Sequence, residues 1–353
     1  MEIKINKMDG GRVFVFCSKY HGSNRQLEGL AKQGFPNKNI LLCSVELRSR
    51  RKFLYPLYRF FTIFFKFLRP VLPSFCHVIE SIFIRSSIEG GMSEGDVIIA
   101  KTAPYEAPLA LMASGSGAKS VFVGEPRRFS ARFFDCIVST PSTPAKDFDV
   151  FLPTLPTSFS EFDLRRKYPA RNKNVFSLFV GGDARGYKYG NDDWSRLLDW
   201  MIACSTSEKV VWRVATSPRT PVAFVDMLSA KKELYPNAFS LVSIFGSDSE
   251  MSMLDCLGES ACAVVSEDSA SMVSECVNVR IPVLVLAPEY CEGSGITKPQ
   301  VECFERAGAV FRQPIEKVDL ARFEKWCQDE FLPISRSWRE VWCDYLFSWG
   351  QKG

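Results

Sequence analysis

The chain has 353 residues, of which 46% are hydrophobic and 24% are charged, and its formal net charge is +4. This length accommodates two α/β domains that each bury a core, and the composition excludes a disordered or fibrous protein. The net charge is too small by itself to indicate binding to nucleic acid.

Twelve cysteines and two histidines are present, and no two cysteines form a CxxC pair. A Cys/His zinc site is therefore not expected, and we interpret the cysteines as reduced thiols of a cytosolic protein. The N-terminal residues lack the apolar core of a secretory signal, and no apolar run approaches the ~20 residues of a spanning helix. We expect a cytoplasmic protein that needs no metal or other cofactor.

Short apolar segments alternate with helical segments in the first half of the chain. This pattern is typical of parallel β-α-β units. The predicted strands are Arg12–Cys17, Ile40–Val45, Asp96–Ala100, Ser120–Gly124 and Cys136–Ser139.

A proline-rich stretch at residues 141–174 interrupts the pattern and predicts an inter-domain connection. A second α/β series follows it. Its predicted strands are Val175–Val180, Lys209–Ala215, Phe239–Phe245, Ala261–Val265 and Ile281–Leu286.

These elements predict two doubly wound α/β domains. We place an N-terminal domain at residues 1–160, a second domain at 161–333, and a C-terminal helix at 334–353 that packs back on the first domain. Ligands of such sheets bind at the carboxyl ends of the strands. The cleft between the two domains is therefore the expected location of a site.

Three turns at predicted strand ends have the chemistry of anion sites. The first, residues 18–24, combines Gly22 and Asn24 with the start of a helix, although it is equally typical of a polar turn with an Asn cap. The second, residues 179–184, contains two adjacent glycines, which favour a ligand near the backbone or simply a tight turn. The third, residues 216–221, contains Arg219, whose guanidinium suits phosphate or a surface ion pair.

The segment 264–275 is the strongest candidate because an apolar strand ends in a cluster of polar residues just before a predicted helix at Met272. Helix-start amides and hydroxyls bind phosphate, and a carboxylate one turn into the helix can bind ribose hydroxyls. A helix cap needs only one such side chain, so a binding site is favoured. The polar residues are Ser266, Asp268, Ser269, Ser271 and Glu275.

Residues 48–79 contain seven Lys or Arg and no Asp or Glu, and their first two thirds are interleaved with aromatic residues. Such segments lie in membrane interfaces, where each basic residue contributes ~1 kcal/mol near an anionic leaflet. A helix packed on its own domain and an RNA-stacking surface are the alternatives. We favour a membrane-binding segment at 48–85. Its expected contacts are Arg51, Lys52, Arg59, Phe61, Phe65 and Lys66.

Five segments between Arg12 and Arg312 together resemble the mitochondrial fission ELM family, whose bacterial members look like GT-B glycosyltransferases. They are SKYHGSNRQLEGLA, VGEPRR, FVGGDARGY, ATSPRTP and VSEDSASMVSE. The resemblance implies a GT-B fold of two Rossmann-like domains facing a central cleft. The donor pocket that it implies consists of Gly181, Gly182, Ser217, Arg219, Ser266, Asp268, Ser269, Ser271, Met272 and Glu275. The acceptor-side residues are Gly22, Asn24, Gln26, Pro126 and Arg127.

The resulting hypothesis is a metal-independent enzyme that transfers sugar from a nucleotide-sugar donor to a lipid-linked glycan, such as a lipopolysaccharide core. Lys298 would assist Arg219 at the leaving phosphate. If the reaction inverts, the base would be His21, Glu106 or Glu125, of which we favour His21. Binding to nucleic acid is not expected, and the sequence does not predict an oligomeric state. The alternative is a non-catalytic adaptor that sits on a membrane and recruits a partner, as in organelle fission.

Overall fold

A computed structural model of the chain describes residues 11–351, apart from residues 19–20, 50, 90, 102–103 and 294. The side chains of His21 and Lys52, two of the predicted functional residues, lie outside the described part. The chain divides into two compact units, an N-terminal unit of residues 1–158 with 336–353 and a C-terminal unit of residues 159–335. The sequence placed the same divisions at 160/161 and 333/334.

The N-terminal unit is built on a parallel sheet. Its strands are β1 (Arg12–Phe16), β2 (Asn39–Cys43), β3 (Val45–Leu47), β4 (Ile84–Ser86), β5 (Val97–Lys101), β6 (Lys119–Val123), β7 (Cys136–Ser139) and β8 (Val150–Phe151). Six of the strands within the described residues form the sheet, in the order β2-β1-β5-β6-β7-β8, and β3 pairs with β4 as an antiparallel ribbon. The predicted strand at 40–45 is therefore two strands that belong to different sheets.

In the part of this unit that the structure describes, four α-helices precede the connection to the second unit. They are α1 (His21–Gly34), α2 (Tyr55–Leu68), α3 (Pro73–Phe83) and α4 (Glu106–Ser116). Alternate strand residues point to opposite faces, so Val13 and Val15 pack with α1, and Phe14 and Phe16 pack on the other side. Helix α4 is buried along its whole length, because α2 and α3 form a further layer outside it.

The C-terminal unit has a second parallel sheet. Its strands are β9 (Asn172–Phe179), β10 (Tyr187–Lys188), β11 (Val211–Ala215), β12 (Phe239–Ser243), β13 (Ser260–Ser266), β14 (Val283–Ala287), β15 (Tyr290–Cys291) and β16 (Val310–Pro314). The sheet order is β12-β11-β9-β13-β14-β16, and β10 and β15 form an antiparallel ribbon. The sequence did not predict β16, because Arg312 and Gln313 interrupt its apolar run.

Seven α-helices lie in the described residues of this unit. They are α5 (Glu161–Lys167), α6 (Asn191–Ser207), α7 (Val222–Leu234), α8 (Met253–Leu257), α9 (Ala270–Asn278), α10 (Thr297–Arg306) and α11 (Leu320–Asp329). Hydrophobic clusters cover both faces of the sheet. The proline-rich stretch 141–174 contains β8 and α5 as well as the connection between the units. None of the helices among the described residues has the length and apolar character needed to cross a bilayer.

The last helix, α12 (Trp338–Gln351), packs against α1 of the N-terminal unit. The indole N–H of Trp342 donates to the carbonyl of Leu30 at 3.1 Å. A Cβ at Gly34 would lie 2.4 Å from the same indole nitrogen, so the absence of a side chain at Gly34 allows the two helices to approach. Trp338 and Trp342 thereby complete the core on one face of the first sheet.

Both sheets reverse their strand order at one point, between β1 and β5 in the first and between β9 and β13 in the second. This arrangement confirms the predicted doubly wound α/β fold. At such a reversal the connections leave in opposite directions and open a crevice at the carboxyl ends of the two central strands, where ligands bind.

Candidate functional site

The crevice of the C-terminal unit lies where β9 and β13 end. The glycine turn at 181–182 follows β9, and the polar segment at 266–271 follows β13. Because β11 is parallel to β9 and pairs with it, the Arg219 loop begins at the same edge of the sheet. The fold therefore brings together the three motifs of this unit that the sequence singled out.

The two central turns are joined by hydrogen bonds. The N–H of Gly181 donates to Oγ of Ser266 at 2.7 Å, and the N–H of Gly182 donates to Oδ2 of Asp268 at 3.2 Å. A Cβ at Gly181 would lie 2.1 Å from that carboxylate oxygen, and a Cβ at Gly182 would lie 2.0 Å from the carbonyl oxygen of Arg219. Both glycines are therefore needed for close packing of the neighbouring loops.

Asp268 holds Arg219 in place. The Asp268 side chain is fully buried, and its Oδ2 lies 2.5 Å from Nη2 of Arg219, whose side chain is 43% exposed. The hydroxyl of Tyr189 donates to Oδ1 at 3.2 Å. Burial, followed by the neighbouring Asp268 carboxylate, raises the pKa of Tyr189 well above its usual value, which keeps this hydroxyl a donor. The guanidinium is thus anchored at one nitrogen and faces solvent with the rest.

The Arg219 loop is fixed by its own hydroxyls. The N–H of Ser217 donates to Oγ1 of Thr220 at 2.8 Å, and the Thr220 hydroxyl donates to the carbonyl of Val180 at 2.8 Å. The N–H of Arg219 donates to Oγ of Ser217 at 3.3 Å. Ser217 therefore shapes the loop, and its side chain is half-buried.

The start of helix α9 follows directly after Asp268. Its N-cap residue Ser269 makes no side-chain capping hydrogen bond, and its Oγ lies 3.4 Å from Oγ of Ser271. The first turn of α9 contains no acidic residue. Amide N–H groups at a helix start carry a partial positive charge and favour an anion. Ser271, Met272 and Glu275 are half-buried on this helix.

The structure places the predicted donor residues in two layers. Ser266 and Asp268 lie behind the crevice surface with protein partners, which corrects the expectation that they contact a ligand directly. Arg219 and Lys298 are exposed, whereas Ser217, Ser271, Met272 and Glu275 are half-buried. Lys298 lies along Gly293, where a Cβ would meet its side chain at 2.8 Å.

Two residues of this region were missed by the sequence analysis. Tyr189 lies in the YKYG stretch, which shows no pattern before folding. Glu267 lies within the strongest motif, but it is buried and does not pair with Arg219 as Asp268 does. Its Oε2 accepts from Nε of Arg312 at 2.5 Å. Its Oε1 accepts from the Tyr187 hydroxyl at 3.2 Å. Alternation along the chain after β13 explains why consecutive side chains serve different contacts.

The acceptor-side candidates lie after the carboxyl ends of β1 and β6. Asn24 is not a free donor, because its side chain accepts from the N–H of Ser18 and donates to the Ser18 carbonyl, both at 2.8 Å. Gln26 is buried and accepts from the ammonium group of Lys101. Burial lowers the pKa of Lys101 to about 8. Gly22 is exposed near the start of α1.

The candidate bases differ in their surroundings. Glu106 is buried, and its two oxygens accept from the backbone N–H groups of Arg127 at 2.8 Å and Arg128 at 2.9 Å. Because both oxygens are engaged in holding the loop, this position does not suit a general base. Glu125 is exposed, and one oxygen accepts from the N–H of Lys146 at 2.7 Å. The Arg127 side chain is exposed beside it in sequence, and Pro126 is half-buried.

The predicted membrane contacts separate into two groups. Arg51 and Lys66 are exposed, while Phe65 is fully buried and Phe61 packs 5.1 Å from the ring of Phe83. Arg59 is exposed, but it donates to the carbonyl of Arg128. Phe65 is therefore wrong as a lipid contact, because α4 covers the face of α2 that carries it, whereas Phe61 is half-buried.

A different set of side chains forms the apolar surface of this segment. On α2 and α3 the outward positions recur every three or four residues, as one face of a helix requires. The exposed residues, which we call the outer apolar face, are Phe53, Leu57, Phe60, Ile63, Phe67, Val71, Leu72, Phe75, Val78 and Ile82. Helix α2 is therefore apolar on two faces, and one of them has no covering element in the described part of the chain.

Solved structures similar to the chain share its fold. The co-structure of S. aureus MnaA with UDP has a TM-score of 0.50 and 10% identity, over 94% of this chain and 94% of that one. A UDP-glucosyltransferase from Polygonum tinctorium, in complex with 3,4-dichloroaniline, has a TM-score of 0.50 and 10% identity, over 97% and 93%. At this identity the likeness concerns the fold alone, which is the GT-B fold expected from the sequence. Among curated protein sequences, no match to the chain is found.

The profile of the Mitochondrial fission ELM1 family matches residues 159–327. This segment contains the glycine turn, the Arg219 loop and the polar segment before α9. The two N-terminal motifs that contributed to the resemblance lie outside it. Over residues 159–327, the chain is therefore similar to the Mitochondrial fission ELM1 family, which confirms the resemblance that its motifs indicated.

Proposed function

We propose that the chain is a glycosyltransferase that moves a sugar from a nucleotide-sugar donor to a lipid-linked glycan at the cytoplasmic face of a membrane. One observation carries the proposal: Arg219 is anchored by the buried Asp268 directly before the uncapped start of α9, in the crevice of a doubly wound sheet. A fixed cation beside helix-start amides is suited to a diphosphate.

The chemistry requires stabilisation of the leaving group. When the bond between the sugar and the nucleotide phosphate breaks, negative charge develops on the departing phosphate. Arg219, the amides at the start of α9 and the exposed Lys298 would meet that charge without reorganising. Glu275, one turn into α9, would accept hydrogen bonds from ribose hydroxyls. These groups are the protein's own, so the proposal includes no metal or other cofactor.

The acceptor would bind to the N-terminal unit, near Gly22 and Arg127. An inverting reaction needs a base that removes the proton of the acceptor hydroxyl, and His21 and Glu125 are the candidates that the proposal retains. Glu125 is exposed at the carboxyl end of β6, and its second oxygen is compatible with this role. The outer apolar face and its basic residues are the reason for choosing a lipid-linked acceptor and a peripheral membrane location.

Nucleotide binding tests the proposal. Thermal unfolding is measured with UDP, GDP, ADP and TDP, and a nucleotide at 100 times its Kd should add about 2.7 kcal/mol of stability. In Ser271→Glu, a carboxylate enters the first turn of α9, where it stabilises the helix but repels phosphate. We expect this variant to fold and to lose the nucleotide shift.

Ser229→Glu on the exposed surface of α7 makes the same charge change away from the crevice and should keep the shift. If no nucleotide stabilises the wild-type protein, the transferase proposal fails and the membrane adaptor becomes the better explanation. If the nucleotide shifts the thermal unfolding of Ser271→Glu and of Ser229→Glu equally, the assigned phosphate position is wrong.

A further inference from the structure

A cavity of about 310 Å³ lies in the N-terminal unit, away from the candidate acceptor residues. The end of α2, the end of α4 and the beginning of β6 form its walls, so it is at the amino ends of the strands. The charged lining residues are Lys66, Arg69, Lys119 and Asp135. The volume is within the range of small-molecule sites, roughly 300–1,000 Å³.

Arg69 is held at this cavity by the shape of the α4 terminus. Gly117 ends α4 with a φ of 80°, a left-handed conformation that favours glycine. A Cβ at Gly117 would lie 1.6 Å from Nη1 of Arg69, so the guanidinium occupies the space of a missing side chain. Arg69 also pairs at 3.1 Å with Glu94, whose side chain is largely exposed.

The remaining charges leave the cavity cationic. Asp135 uses Oδ2 to accept from the N–H of Ser120 at 2.8 Å and from its hydroxyl at 2.7 Å. Oδ1 of Asp135 is 4.0 Å from Nζ of Lys119. Lys66 is exposed and has no ion-pair partner among the described residues. Three cations therefore face two carboxylates, of which one is hydrogen-bonded inward.

The cavity adjoins the outer apolar face. Ile63 lies three residues before Lys66 and four residues before Phe67, so its side chain neighbours both of them on α2. Ile63 is 45% exposed and Phe67 is 78% exposed. A free phosphate would use only the cations, whereas a phosphate that carries acyl chains would use both surfaces at once.

We propose that this cavity binds the phosphate of an anionic glycerophospholipid whose acyl chains contact the outer apolar face of α2 and α3. The guanidinium of Arg69 and the ammonium groups of Lys66 and Lys119 bind the phosphate oxygens. The inference rests on the proposed membrane association and specifies its lipid. The cavity orients the protein, whereas charges that are merely near a bilayer attract it without orientation.

Vesicle binding separates a specific cavity from general attraction. Sedimentation is measured with vesicles of phosphatidylcholine alone and with vesicles that contain 30% phosphatidylglycerol. Removing one basic residue near an anionic surface should weaken binding about fivefold through general attraction. Arg51→Gln provides this reference, because Arg51 is exposed in the same segment but does not line the cavity.

We expect Lys66→Gln and Lys119→Gln to weaken binding to the anionic vesicles at least thirtyfold and to leave binding to neutral vesicles unchanged. Phe67→Ser should weaken binding to both kinds of vesicle. Soluble glycerol 1-phosphate, titrated against the bound protein, should release it from anionic vesicles only at concentrations well above that of the lipid.

Three results would overturn the proposal. If Lys66→Gln and Arg51→Gln lose binding equally, the cavity has no special role, although membrane association stands. If glycerol 1-phosphate binds the cavity while the wild-type protein shows no preference for anionic vesicles, the ligand is a soluble phosphate. If the wild-type protein binds neither vesicle, the lipid site and the proposed membrane location both fail, while the nucleotide test is unaffected.

Discussion

Replacing Gly181 with alanine tests how the crevice of the C-terminal unit is built. The new Cβ would lie 2.1 Å and 2.3 Å from the carboxylate oxygens of Asp268, and real Cβ atoms essentially never come closer than 3.0 Å to another group. The carboxylate cannot move away freely. It is fully buried and bonded to Gly182, Tyr189 and Arg219.

The cost follows from these contacts. Overpacking a buried position costs about 1–3 kcal/mol, and weakening a hydrogen bond to a charged group costs a further ~1.5–3 kcal/mol. We expect Gly181→Ala to lower the free energy of unfolding of the C-terminal unit by about 3 kcal/mol. For a unit of this size, 1 kcal/mol corresponds to roughly 2–4 °C, so the Tm should fall by about 6–12 °C.

Gly295→Ala is the matched control, because a Cβ there has no neighbour within 4 Å among the described residues. Its stability should remain within about 0.5 kcal/mol of wild type. Calorimetry gives both melting temperatures, and a nucleotide titration of Gly181→Ala below its Tm should show weaker binding as Arg219 shifts. If Gly181→Ala and Gly295→Ala have the same Tm, the inferred packing of Asp268 against the turn is incorrect.

Two further substitutions test buried carboxylates. Glu106→Gln replaces one of the two oxygens that accept from the N–H groups of Arg127 and Arg128 with a donor. The free energy of unfolding, measured with urea, should therefore fall by about 1–3 kcal/mol. An unchanged free energy of unfolding would refute the structural role of Glu106. Burial raises the pKa of Glu80 to about 7, so its native carboxyl retains a proton that the unfolded chain loses near pH 4.5. As the pH rises from 4.5 through 7, the free energy of unfolding of the wild type should fall by up to ~3 kcal/mol relative to that of Glu80→Gln. If the free energies of unfolding of the two proteins differ by the same amount at pH 4 and at pH 8, this expectation is contradicted.

The fold could be predicted from the sequence because the strands of both units are short, apolar and separated by helical segments. Buried parallel strands need apolar side chains on both faces, and this pattern is visible before folding. The prediction failed where the pattern is broken by local chemistry. Strand β16 carries Arg312, a half-buried cation that pairs with the buried carboxylate of Glu267 from a neighbouring loop.

The crevice of the C-terminal unit could be predicted in part. The polar residues after β13 and the glycines after β9 mark strand ends, and the parallel sheet then brings them together. Their individual roles could not be predicted, because consecutive residues point to different neighbours. Asp268 is buried and holds Arg219, whereas Ser271, three residues later, is half-buried in the first turn of α9.

The segment around α2 shows most clearly which properties the sequence determines and which depend on the tertiary structure. Its sequence alone determined that an aromatic and basic helix is present, because the spacing and composition are local properties of the chain. Only the tertiary structure decided which aromatic rings remain available for a partner. Helix α4, distant in sequence, covers the face that carries Phe65 and leaves Phe67 exposed, and such burial depends on contacts between elements that no local pattern encodes.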